Sequence, residues 1–234
     1  GAVPAGSVDA WVLGELDRVT ERVSAAYSKY AFKQANAALY DFCNDTLSAV
    51  YLAAVKDRLY CDRVDSPRRR RTQRTLRRVT DQLCRLLAPL LPHTADEAWR
   101  ALIGVDAKDA EACVHLETLL PATGVTPDAG WPGAMAMRDA ALPVMEKAKA
   151  ETDLENPLDM GVVWPGEAGA FDPVDLADLL GVSEVTFDAS ASAPGVIDLR
   201  DRPRCERSWK RDGTVKERSD GGMLSDRDAE AVGV

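Results

Sequence analysis

Histidine is nearly absent from this chain: His93 and His115 are its only two. General-base chemistry near neutral pH draws on imidazole more than on any other side chain, so two isolated histidines leave little from which to build a catalyst. His93 stands just before a helix start and reads as local scaffolding, and His115, within Val-His-Leu, reads as a half-buried strand or loop residue. GxxxxGK[ST], GxGxxG after a strand, HExxH and GxSxG are all missing. Those absences remove a phosphate-cradling loop, a dinucleotide site, a zinc-protease helix and a nucleophile elbow. Five cysteines (Cys43, Cys61, Cys84, Cys113, Cys205) lie 18, 23, 29 and 92 residues apart with no CxxC. An odd, scattered set fits a reducing cytosol better than a secreted disulfide framework. No apolar run approaches the roughly 18 residues of a membrane span, and no signal peptide or lipidation motif is visible.

What is present is a soluble, globular composition: 234 residues, 46% hydrophobic and 29% charged, enough to bury a core without metals or disulfides. The chain opens on Gly within Ala/Val/Pro/Gly sequence, and the expectation is a piece of a longer polypeptide. Val8, Trp11, Val12, Val19, Val23, Ala26, Tyr27 and Tyr30 recur at steps of mostly three and four, one apolar stripe on a helix. Phe32, Ala35, Leu39, Cys43, Leu47, Val50 and Ala54 make a second. Ser66-Pro67 starts a third helix, with Ser as N-cap and Pro pre-set at the first helical position. That helix buries Thr72, Leu76, Val79, Leu83, Leu86, Leu87 and Leu90 and ends at Pro92. Thr94-x-x-Glu97 reads as a capping box for a fourth. Such stripes are marginal alone and pack together as an antiparallel bundle over residues 8–103.

A connecting segment, 104–155, follows. In it Val114-His115-Leu116 looks extended, and a helix from Met135 to about Ala150 should be kinked or split by Pro143. Residues 156–202 read as a small α/β module: Leu158–Trp164, Val182–Phe187 and Val196–Leu199 are β-like, and Pro173–Leu180 is helical. The stretch 203–234 is polar and weakly patterned.

The net charge of −9 is unevenly distributed. Arg68, Arg69, Arg70, Arg71, Arg74, Arg77 and Arg78 place +7 in eleven residues, and residues 199–218 carry a local +4, which leaves −20 on the rest. At about 100° per residue, Arg70, Arg71, Arg74, Arg77, Arg78 and Arg85 fall within one arc opposite the leucine stripe. A guanidinium row on a rigid helix suits phosphate, because each fork donates two hydrogen bonds and stays charged at any relevant pH. The alternative is the solvated face of an amphipathic helix. Like-charge repulsion at i, i+4 without acidic partners calls for compensation from outside the helix, which favours a polyanion.

Several segments together carry a resemblance. Tyr40-Asp41-Phe42-Cys43-Asn44-Asp45-Thr46-Leu47-Ser48-Ala49-Val50-Tyr51-Leu52, continuing to Lys56-Asp57-Arg58-Leu59-Tyr60, resembles the anticodon-binding helical domain of class I isoleucyl-tRNA synthetases. Leu87-Ala88-Pro89-Leu90-Leu91-Pro92-His93-Thr94-Ala95-Asp96-Glu97-Ala98-Trp99 is similar to that domain's helix-to-helix corner, a feature shared with valyl and leucyl enzymes. Val114-His115-Leu116-Glu117 and Met137-Arg138-Asp139 are similar to the segments that follow it. Cys205-Glu206-Arg207-Ser208-Trp209 resembles the CERCW of the bacterial isoleucyl enzymes' C-terminal zinc module.

The resemblance implies a mainly α fold: an antiparallel bundle of the class I anticodon-binding type, then a small α/β module, then an irregular, zinc-ribbon-like tail at 203–234. It implies tRNA(Ile) as partner, with the bundle along the anticodon stem-loop, so that Arg70, Arg71, Arg74, Arg77 and Arg78 meet phosphates. Arg207 and Trp209 match the Arg and Trp that contact anticodon bases. Splayed loop bases are read by aromatic stacking and side-chain hydrogen bonds, with stacking worth roughly 1–3 kcal/mol per base.

The family's module uses four thiolates in CxxC…CxxC. Here Cys205 remains, while Ser208, Ser225 and Asp228 stand at the other three positions. The expectation is no cofactor in this chain, a lost zinc, and a frayed tail beyond about Lys210. The HIGH and KMSKS signatures are absent. No catalytic residue is therefore expected, and amino-acid activation with ATP and Mg would belong to catalytic and editing domains elsewhere in a cytoplasmic ligase. The readings left open are the anticodon-binding region of a valyl, leucyl or methionyl synthetase, and a helical protein-interaction scaffold.

Overall fold

The computed structural model describes residues 2–106, 109 and 111–234. Helix α1 (Val8–Tyr27) begins at Ser7, whose hydroxyl accepts from the Ala10 N–H at 3.2 Å, the bond that makes Ser a good N-cap. Val8, Val12, Leu16, Val19 and Val23 line its buried face. The stripe stops short of Tyr30, which takes a left-handed backbone (φ 55°) past the helix end and faces solvent.

Next comes one continuous rod: α2 (Phe32–Asp41), a π-helical stretch (Phe42–Leu52) and α3 (Ala53–Cys61). A π turn carries its hydrogen bond five residues along instead of four. The buried positions accordingly step from Phe42 to Leu47. A regular stripe places Cys43 inside, but the wider turn buries Phe42 and leaves Cys43 half-buried.

Helix α4 (Pro67–Leu87) starts at Ser66 as expected, with Pro67 in its first turn. It ends at Leu87, well before Pro92, which instead opens α5 (Pro92–Ile103). There is no capping box at Thr94–Glu97, because the helix is already under way. Proline's fixed φ and missing N–H suit a first helical position, so Leu91 precedes α5 without a side-chain cap. Helix α1 packs on α2, the π stretch and α4, and α5 packs on α4. The result is a helical bundle.

Two expectations for the connecting segment are corrected. Val114–Leu116 is one 3-10 turn, not extended. The Val114 N–H donates to Asp96 at 2.9 Å, and its side chain is buried beside Cys84, Ala88, Ala95 and Trp99. Helix α6 (Trp131–Thr152) begins four residues early and runs through Pro143 as one helix. Trp131 anchors it, 6.0 Å from the Trp11 ring and 5.2 Å from Phe171.

Strands β1 (Met160–Pro165), β2 (Glu184–Asp188) and β3 (Gly195–Asp198) form a sheet in the order β2-β1-β3. β1 runs parallel to β2 and antiparallel to β3. A parallel neighbour needs a crossover, and α7 (Pro173–Leu180) supplies it, capped by Asp172 and closed by Gly181 at φ 71°. Met160, Val162, Leu176 and Val182 belong to the same apolar cluster as Val8, Val12 and Leu16, so bundle and sheet share one interior.

The tail departs from the expectation of fraying. Strands β4 (Lys216–Glu217) and β5 (Met223–Leu224) pair and lead into α8 (Asp226–Val232), around a small core of Cys205, Val215, Leu224 and Ala229. Among the described residues no helix is long and apolar enough to cross a membrane.

Candidate nucleic-acid interface

The arginine run lies on α4, but its members do different things. Arg68 reaches inward to Asp62 at 3.2 Å and sits 3.6 Å from Asp178. Arg69 caps the Asp62 carbonyl at 2.7 Å. Arg71 donates to Asp9 at 2.8 Å, and Arg85 pairs with Asp81 and Glu117, at 2.8 and 2.9 Å. Those acids neutralise three guanidinium groups, so the single cationic arc drawn from helical angles is broken. Arg71 in particular serves the fold. Asp9 is fully buried and gathers Tyr51 Oη at 2.7 Å and Thr72 Oγ1 at 3.0 Å besides Arg71, as a buried carboxylate must to offset its lost hydration.

Arg70, Arg74 and Arg77 stay exposed. Arg70 donates to the Val64 carbonyl at 3.3 Å and Arg77 to that of Leu102 at 3.1 Å. The half-buried Arg78 donates to the carbonyl of Pro121. Carbonyls orient a guanidinium without cancelling its charge. Arg74 has no bonded partner among the described residues and borders a cleft with Arg71, Arg78 and Pro121.

Behind α4 lies an ionic cluster that sequence reading missed. Arg58 of α3 is fully buried and donates to Asp175 at 2.7 Å and to Asp178 at 2.9 Å, both on α7. Burial pushes the Arg58 pKa down, but Asp175, Asp178 and Asp9 outweigh it and the net shift is upward. Burial dominates at Asp175 and raises its carboxyl, and at Tyr51 it does the same with help from Asp9. Lys210 extends the cluster, 2.6 Å from Asp178 and 3.5 Å from Asp57. Asp57 is held down to about 2: burial raises it, but the Arg227 hydrogen bond and the charges of Lys210 and Arg227 prevail. The only local hint was Lys-Asp-Arg within an otherwise apolar helix, since every acid around Arg58 comes from another element.

The second basic stretch is also largely neutralised. Arg200 pairs with Asp198, Arg202 with Glu184, Arg211 with Asp159, and Lys216 and Arg218 with Asp226. Arg207 donates to the carbonyls of Cys61 and Tyr60, the latter at 3.0 Å, and to Asp228 at 3.2 Å. Its guanidinium thus fastens the C-terminal turn to the end of α3.

Trp209 is the exception. Its backbone is left-handed (φ 64°) and the residue is 54% exposed. The Arg204 guanidinium lies 5.3 Å above the ring, a cation–π arrangement. The neighbouring cleft of about 410 Å³ is walled by Tyr60, Leu158, Val182, Arg207 and Lys210. An exposed aromatic plane beside cations is the chemistry that stacks on a splayed nucleobase. The arginine face of α4 and this aromatic cleft are surfaces suited to a polyanion carrying bases.

Residues 9–163 match the family model described as the anticodon-binding domain of tRNA ligase. Isoleucine–tRNA ligase of Exiguobacterium sibiricum is 34% identical over 215 residues, covering 86% of this chain and 23% of that protein. Isoleucine–tRNA ligase of Brevibacillus brevis is 34% identical over 226 residues, 86% of this chain and 24% of its own length. The enzyme of that name from Geobacter sulfurreducens is 31% identical over 245 residues, covering 96% of this chain and 26% of the relative. The chain spans about a quarter of the length of these curated relatives.

Proposed function

Because the chain belongs to the family of anticodon-binding domains of tRNA ligases, we propose that it grips the anticodon stem-loop of an isoleucine tRNA. The observation that carries this reading is the exposed trio Arg70, Arg74 and Arg77, none of them ion-paired among the described residues, on a chain whose net charge is −9. Three exposed guanidinium groups on one rigid helix offer a local site for phosphates, and the acidic remainder repels nucleic acid elsewhere and so orients it. Arg71 and Arg78 support this face from its edge. Trp209 stacks on an anticodon base, with Arg207 holding the turn that presents it. The complete enzyme joins isoleucine to its tRNA with ATP and Mg in the cytoplasm, and its catalytic and editing domains lie outside these residues.

Changing Arg70, Arg74 and Arg77 together to Ala tests this. Affinity should fall by a similar factor for all tRNAs, and the slope of log affinity against log salt should flatten by about one for each phosphate left without its arginine. Trp209→Ala should instead reduce the preference for the isoleucine anticodon and leave the salt slope unchanged. A triple variant that binds tRNA like the parent chain refutes the helix-face assignment.

A further inference from the structure

Positions 205, 208, 225 and 228, far apart in two x-x-spaced pairs, meet in the interior of the C-terminal knuckle. At their centre is not a set of thiolates but one carboxylate. Asp228 is fully buried, and its Oδ2 accepts from Cys205 Sγ at 3.1 Å and from Ser225 Oγ at 3.0 Å. Its own N–H donates back to Ser225 Oγ at 3.2 Å. Two guanidinium groups close the shell, Arg207 at 3.2 Å and Arg227 at 3.2 Å. The Ser208 hydroxyl is buried at the same place without a hydrogen bond of good geometry.

This donor set does not suit zinc. A structural zinc site needs four strong ligands, thiolate or imidazole for preference. Here one thiol and two hydroxyls surround a carboxylate already engaged by two cations, and a divalent ion entering between Arg207 and Arg227 meets repulsion. Among the described residues no group of three or more His, Cys, Asp or Glu side chains is placed to hold a metal.

We infer that the Asp228 carboxylate replaces a metal ion as the lock of this knuckle, and that it thereby positions Trp209. The lock joins both halves of the knuckle and fastens them to the bundle. Cys205 opens the first turn, Ser225 and Asp228 open α8, and the Glu206 N–H meets the Met223 carbonyl at 2.9 Å. Arg207 continues to the carbonyls ending α3, and Arg227 to Asp57. Trp209 sits between Ser208 and the buried Lys210, its N–H bonded to the Cys205 carbonyl at 2.9 Å. The Cys205 N–H in turn donates to the Lys210 carbonyl at 2.9 Å, so the left-handed backbone of Trp209 is tied on both sides to Cys205, whose thiol donates to the lock. Only the link from Trp209 to base reading rests on the function proposed above.

The test uses the 234-residue chain. Purified without metal-affinity steps, it should contain less than roughly 0.1 zinc per molecule, and a chelator should leave its thermal midpoint unchanged, since a structural zinc would otherwise contribute folding energy. Asp228→Ala should shift the indole N–H resonance of Trp209, assigned with Trp209→Phe, to a solvent-like position. Changing Ser208, Ser225 and Asp228 all to Cys should create a site for one cobalt(II) with tetrahedral thiolate absorption and bring the Trp209 resonance back. In stem-loop binding, Asp228→Ala should lose anticodon preference without changing the salt slope. If Asp228→Ala does not fold, Asp228→Asn keeps the oxygen, removes the charge and should move the resonance in the same direction. Stoichiometric zinc whose removal lowers the midpoint overturns the inference, as does an unmoved Trp209 resonance or a triple-Cys variant that takes up no cobalt. The metal and resonance measurements need no tRNA, so a failure of the tRNA-binding reading leaves them standing.

Discussion

Arg58 of α3 and Asp178 of α7, 120 residues apart in sequence, meet at 2.9 Å in an interior that excludes water. With Asp175 and Asp9 this pair joins the bundle, the crossover helix and, through Lys210, the C-terminal knuckle. Such a cluster is better judged by what its disruption costs than by its sum, because the desolvation of each charge offsets much of the attraction.

Arg58→Ala should accordingly destabilise the chain by about 3–5 kcal/mol, since Asp175 and Asp178 would remain buried against fewer cations. Urea unfolding followed by circular dichroism measures it. A loss under about 1 kcal/mol would mean that the carboxylates find water in the folded state.

Arg71 and Arg74 are neighbours on one helix face with opposite roles. Arg71→Ala should lower stability by about 2–4 kcal/mol by leaving the buried Asp9 short of a cation. Arg74→Ala should leave stability within about 0.5 kcal/mol and reduce tRNA affinity. Unfolding midpoints and binding isotherms on the two variants separate the effects. Equal stability losses would show that Arg74 also serves the fold.

Asp57 links stability to acid. Its carboxyl lies at about 2, below the usual 3.8. The unfolded chain therefore takes up this proton first as pH drops. The stabilisation, about 2 kcal/mol, is complete above the ordinary value and fades as pH falls from about 4 through about 2. Acid titration of the unfolding free energy should be flatter across that window for Asp57→Asn than for the parent. Identical slopes would remove Asp57 from the account.

Two glycines make a paired control. A Cβ on Gly6 would lie 1.9 Å from the Ala170 carbonyl oxygen, a backbone atom that cannot swing away. Gly6→Ala should cost about 1–3 kcal/mol as overpacking. Gly133, inside α6, has nothing within 4 Å of its would-be Cβ. Gly133→Ala should be neutral or stabilise by about 0.4–1 kcal/mol. Differential scanning calorimetry on both decides, and similar midpoints for the two would contradict the packing of Gly6 against the loop at Ala170.

How much the sequence disclosed depended on the range of the interaction. The N-cap at Ser66, the first-turn Pro67 and the bounds of α7 were legible, because each is set by residues within one turn. The arginine run was legible as a charge, but its division into neutralised and free members was not. The acid that silences Arg71 lies 62 residues away, and those beneath Arg58 lie 117 and 120 away. The four knuckle positions could be named from the resemblance to the family's zinc module. That a single carboxylate would gather Cys205 and Ser225 follows only from where α8 packs. Pro92 misled because proline both ends and begins helices, and only the observed corner shows which.

The π-helical stretch between α2 and α3 sets the angular phase of everything after it. Each of its bonds spans one residue more than an α bond, so the rod is wound more loosely there and α3 emerges rotated about its own axis. That rotation brings Asp57, Arg58 and Cys61 round to α7 and the knuckle. Were one residue deleted between Phe42 and Leu52, the stretch could rewind as ordinary α-helix, but by about 100° per residue the face beyond would turn away. A charge meant for the interior would then point outward, and the helix could be locally better while the molecule could no longer close.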